Sequence, residues 1–134
     1  MSQNQSNVYI SVVLNRVTFP RDDWQFALDR QGIEKEIGQL NQQMKVLGVE
    51  VSLVYDEERE IAAQGYGDIL NAVRIRSSRP GLGNLCLGHV IGASVNLDLL
   101  EDIGRGVRRI AFAPETVEPE GSDKVVCHNC GCGC

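Results

Sequence analysis

Aromatic residues are scarce in this chain of 134 residues, with three Phe, three Tyr and one Trp, and there are only four prolines. That composition excludes collagen-like and proline-rich architectures. Long apolar runs are also missing. The longest, residues 8–15 and 85–96, are interrupted by Ser, Asn or Gly and fall short of the ~20 residues a bilayer span requires. Residues 1–7 carry no basic segment and lead into no cleavage pattern, so no secretory signal is read and the cytoplasm is the expected compartment. Positive charge is in short supply as well. Residues 1–113 hold 12 Lys and Arg against 14 acids, and residues 114–134 hold one Lys against four acids. A near-neutral body with an acidic tail offers no broad cationic footprint for nucleic acid or an anionic membrane. Cysteine is almost absent from the body, where Cys86 stands alone, which excludes the disulfide framework of a small secreted domain.

What is present suits an ordinary globular domain: 43% hydrophobic residues, 23% charged and 14 glycines. At this length folding removes roughly two-thirds of the chain's surface from water, so the core needs neither metal nor disulfide to hold it. Residues 8–19 are β-branched and apolar on both faces and are predicted to form a central strand. Asp22 and Asp23 offer an N-cap, and Phe26, Ile33, Ile37, Leu40, Met44 and Leu47 then recur at helical spacing. The pattern predicts a long helix over 23–47 laid on the sheet, with Gly48 as its C-cap. Its heptad-like stripe also suits self-association. Residues 49–55 form a second strand, completing a βαβ unit for which parallel pairing is favoured.

The rest of the body is less regular. Residues 61–78 are read as helical, although VRIR at 73–76 can equally open a strand. The 85–95 segment is interior, as a buried strand or tight loop. A short helix carries Leu97, Leu99, Leu100 and Ile103, with Gly104 and Gly106 ending it before a final strand over 107–113. The expected fold is an α/β (or α+β) sandwich. Its mixed sheet has three or four strands, including 8–19, 49–55 and 107–113, and the long helix lies on one face. The domain occupies residues 1–113. Residues 114–126 read as an acidic Pro/Gly linker and residues 127–134 as a flexible Cys/Gly tail.

The tail concentrates the chemistry. Residues 126–134 read VCHNCGCGC, placing four of the five cysteines (Cys127, Cys130, Cys132, Cys134) within eight positions. Every residue between the last three is Gly, which lets successive thiolates turn toward one centre because Gly visits both signs of φ. Four thiolates match tetrahedral Zn²⁺, and soft sulfur suits Cu(I) or an iron–sulfur cluster equally. His128 is a further candidate ligand. The Cys and Gly density of these nine residues resembles the metal-binding stretches of metallothioneins, and the resemblance implies thiolate ligation of a soft metal. It does not extend into the body. Two chemical alternatives compete, besides a dispensable extension with no chemistry of its own. A folded leader followed by an acidic linker and a Cys/Gly run is also the layout of a ribosomal peptide precursor whose cysteines are covalently modified. Thiol redox chemistry at Cys127 and Cys130 is the other, although no helix follows to depress a thiol pKa.

Elsewhere, Cys86 and His89 form C-x-x-H, which is read as a buried thiol beside a hydrogen-bonded histidine. Asp56, Glu57, Glu58 and Glu60 read as a solvated turn. Arg74, Arg76 and Arg79, and Arg105, Arg108 and Arg109, form two basic runs that can receive an acidic group. Gly81, Gly83 and Gly88 match no phosphate-loop pattern, and no catalytic constellation is found. The reading is therefore a non-catalytic metal-binding or cluster-binding protein. A homo-oligomer or a protein partner is expected to cover its helix stripe and strand edges.

Overall fold

The structure is a computed structural model that describes residues 8–117 apart from 25, 27, 93 and 95. Its centre is β1 (Val8–Thr18), an 11-residue strand. The sheet runs β2-β1-β3-β4, with β2 at Val49–Ala62, β3 at Val73–Ser77 and β4 at Leu85–Cys86. β1 pairs parallel with β2 from Val8↔Val49 to Asn15↔Asp56, and resumes at Arg16↔Glu60 after a register shift. It pairs antiparallel with β3 from Ile10↔Ser77 to Leu14↔Val73. The sheet is thus open, mixed and four-stranded, as expected of an α/β fold.

Pleating sends alternate side chains to opposite faces. Ile10, Val12 and Leu14 share a face with Val51, Val73 and Ile75, and all six are buried. Onto this face α1 (Arg30–Lys45) sets Ile33, Ile37, Leu40 and Met44, and α4 (Leu99–Phe112) sets Ile103, Val107 and Ile110. Each such aliphatic side chain contributes about 1.5–3 kcal/mol by leaving water. Two shorter helices, α2 (Tyr66–Ala72) and α3 (Leu87–Ile91), complete the layer.

Three expectations need correction. The first long helix begins at Arg30, where Asp29 caps it by accepting the Gly32 N–H at 2.9 Å, and not at Asp23. Upstream, ring packing overrides the helical spacing. Phe19, Trp24, Phe26 and Tyr66 form an aromatic chain with successive centroids 5.9, 6.5 and 5.4 Å apart. Residues 61–78 split into the end of β2, α2 and β3, so VRIR is a strand.

Residues 107–113 contain no strand. They lie almost wholly in α4, which Asp98 caps by accepting the Leu100 and Glu101 N–H groups. Gly104 and Gly106 sit inside this helix, not at its end. At Gly106 a Cβ would stand 2.6 Å from a Leu87 methyl and 2.8 Å from an Ile75 methyl, so the glycine lets α4 lie close to α3 and β3. The interior reading of 85–95 fits β4 and α3, where Leu85, Cys86, Leu87 and Val90 are buried.

The packed body continues past residue 113. A single 3-10 turn, Pro114–Thr116, follows α4, and Val117 is buried. Arg109 fixes this turn with bonds of 2.9 and 2.8 Å to the Thr116 hydroxyl and carbonyl. No helix among the described residues is long and apolar enough to cross a membrane.

Candidate functional site

Cys127, His128, Cys130, Cys132 and Cys134 lie outside the described residues, and so does the proposed linker beyond Val117. The body's own candidates can be placed. Cys86 is 1% exposed and ends β4; its Sγ accepts the His89 N–H at 3.4 Å and so caps α3. The expected buried thiol is found, and C-x-x-H in addition starts a helix here, which the sequence reading did not anticipate. Among the described residues no group of three or more His, Cys, Asp or Glu is placed to hold a metal ion.

The arginine runs turn out to be largely occupied within the fold. Arg74 is buried and donates to the Asn84 side chain and carbonyl at 2.8 and 3.3 Å. Arg79 donates to the Ile110 and Ala111 carbonyls at 3.3 and 2.7 Å, closing the last turn of α4, whose carbonyls lack helical partners. Arg109 reaches the Val90 carbonyl at 2.7 Å. Arg76 and Arg108 remain exposed. Three of the six cations thus satisfy carbonyls and Arg105 pairs with Asp102, so four of the six are engaged within the fold.

The acidic run lies within β2, not in a turn after it. Asp56 accepts the Glu58 N–H at 3.1 Å, Glu57 pairs with Arg30 at 3.3 Å, and Glu60 pairs with Arg16 at 3.2 Å. Both ion pairs are about half exposed, and such pairs contribute at most about 1 kcal/mol. Arg30 also stands over the Tyr55 ring at 4.7 Å.

The sequence reading missed a buried polar cluster between α2 and α4. Asp102 is fully buried; it accepts the Tyr66 hydroxyl at 2.7 Å and the Arg105 guanidinium at 3.1 Å. Burial, and then the bond to the Asp102 carboxylate, push the Tyr66 phenol well above its ordinary range. The available signal was Asp102 itself. It follows the Asp98 cap by four residues and so shares the helix side that carries Leu99 and Ile103. The cluster is an ordered donor and acceptor set with no substrate-facing nucleophile, and it reads as structural.

Besides an open hollow of about 440 Å³ lined by Arg79, Pro80, Leu82, Pro114, Glu115 and Val117, two cavities adjoin the helices. One of about 200 Å³ lies between the Leu14–Val17 segment and α2. Asn15 lines it and donates its amide to the Ala72 carbonyl at 3.0 Å. The other, about 300 Å³, lies between the N-terminal ends of α1 and α4. No protein-family model, curated protein or solved structure significantly matches this chain.

Proposed function

We propose that the protein binds a soft metal ion or an iron–sulfur cluster through Cys127, Cys130, Cys132 and Cys134, with His128 as a fifth candidate ligand, and that its α/β body is a non-catalytic carrier. One observation carries this reading: four cysteines occupy eight positions, separated after Cys130 by glycine alone. Thiolate ligation at that density suits Zn²⁺, Cu(I) or a cluster, and a reducing compartment such as the cytoplasm keeps the thiols available. In the body, Cys86 caps α3, Asp102 pairs with Tyr66 and Arg105, and Arg74, Arg79 and Arg109 bind carbonyls.

A second reading rests on the same nine residues. A folded body, an acidic Pro/Gly stretch and a terminal Cys/Gly run also suit a precursor whose cysteines receive a covalent modification. Intact and denaturing mass spectrometry with elemental analysis, on protein purified from its native host, separates the two. Metal that leaves on denaturation, and that is released as pH falls below neutrality because each thiolate regains a proton, supports ligation. An acid-stable mass change within residues 127–134 supports modification, and loss of two hydrogens supports a Cys127–Cys130 disulfide. Unchanged metal content after truncation at Lys124 would overturn the metal reading.

A further inference from the structure

The helical layer has two unlike ends. At one end, α1 and α4 begin side by side around the 300 Å³ cavity, whose walls include Phe26, Ile33, Leu97, Leu99 and Leu100. Two carboxylates stand there as well, Asp29 and Asp98. Each caps its helix through Oδ1, and Oδ2 takes no hydrogen bond among the described residues. Leu97 is 58% exposed and holds a positive φ of 53°, a conformation that a bulky residue keeps only when its surroundings demand it.

At the other end both helices stop. Gly48, just past α1, accepts the Val8 N–H at 2.9 Å, and Ser78, just past β3, donates to the Tyr9 carbonyl at 3.0 Å. Arg79 then binds the last carbonyls of α4. The C-terminal ends of α1 and α4 therefore share one end of the sheet. It carries the most exposed large apolar residues of the described chain, Val46 at 84% and Leu47 at 62%, beside Lys45. One end is an apolar hollow edged by acid, and the other is an apolar knob edged by base.

We propose that a second copy of this chain fills the hollow: Val46 and Leu47 of one copy enter the cavity of the other, and Lys45 meets Asp29 and Asp98. The 16 residues of α1 span about 24 Å, so a two-fold axis lying over the outer surface of the helix layer, perpendicular to α1 at its midpoint, makes the contact twice and closes the assembly. Electrostatics select this orientation. Antiparallel stacking sets each cationic helix end against an acidic one and opposes the helix dipoles, whereas parallel stacking places carboxylate on carboxylate.

The test is sedimentation equilibrium of the full chain with reductant and chelator present, so that thiol or metal bridges between tails contribute nothing and the outcome is independent of what the tail binds. The expected result is a concentration-dependent dimer. Val46→Asp with Leu47→Asp, both on exposed positions, raises its dissociation constant at least about tenfold. Lys45→Glu also weakens the dimer and reverses its response to salt, because a carboxylate then faces Asp29 and Asp98 and screening relieves the repulsion. Val54→Asp, on an exposed strand position across the molecule, leaves it unchanged. Isotope-filtered NOEs run from Leu47 methyls of one copy to the Phe26 ring of the other. A monomer at millimolar concentration overturns the proposal. So does a dimer indifferent to the knob substitutions, or one dissolved by Val54→Asp. Capture of a free alkylammonium by the cavity, without any self-association, overturns it too.

Discussion

At zero exposure, the Asp102 carboxylate must be answered by protein groups alone, and the Tyr66 hydroxyl and Arg105 do so. Asp102→Ala leaves that hydroxyl and a partly covered guanidinium without their acceptor. Its expected cost is about 2–4 kcal/mol, read from the midpoint shift in chemical denaturation. The same cluster sets an alkaline limit. The Tyr66 phenol is raised in the folded state, so folding retains a proton that the unfolded chain releases near pH 10. The stabilisation is complete below that pH and is lost as pH rises beyond it. Tyr66→Phe should flatten the fall in stability above about pH 10, as thermal melts across pH 8–11 would reveal. Tyr55, bonded to Glu34 at 2.5 Å on an exposed surface, shares the direction of shift and supplies what dependence remains.

At the scale of elements, two glycines in comparable helices should respond oppositely to Ala. Gly38 in α1 has nothing within 4 Å of a new Cβ, so Gly38→Ala gains helix propensity and stabilises by about 0.5–1 kcal/mol. At Gly106 a Cβ meets the buried Leu87 and Ile75 methyls, so Gly106→Ala is expected to destabilise by about 1–2 kcal/mol despite the same propensity gain. Paired urea titrations check both signs. Gly106 also marks where the fold stopped being legible. The βαβ unit was readable because β1 and β2 are dense in β-branched residues and Ile33, Ile37, Leu40 and Met44 keep strict helical spacing. Gly104 and Gly106 look like helix terminators when propensity is considered alone. The actual constraint is a close approach of distant segments, which no local pattern records. The start of α1 was misplaced for a similar reason, since Phe26 keeps the helical period yet packs on Tyr66, 40 positions away. Of the candidate site, the burial of Cys86 was readable from its apolar surroundings, whereas its role as the cap of α3 was not. The Tyr66 and Asp102 pair was not, because its partners are 36 positions apart.

For the whole molecule, the described core reaches Val117, which is 6% exposed and belongs to the core cluster. A chain ending at Val117 should melt within a few degrees of the full-length protein. One ending at Ala113 loses the Val117 side chain and the Arg109 bonds to Thr116 and is expected to fall by about 2–3 kcal/mol. Calorimetry of the two truncations distinguishes them.

The central place of β1 sets the order in which the molecule can be assembled during synthesis. β1 precedes both of the strands that pair with it, β2 and β3, and its earliest partner, Val49 for Val8, lies 41 positions on. At ~5–20 residues per second, a nascent chain holds this apolar ribbon unpaired for roughly two to eight seconds. Its antiparallel neighbour comes later still, with Ser77 meeting Ile10. Early exposure therefore falls on the stretch richest in valine and isoleucine, and translation speed through α1 governs how long a cell must shield it.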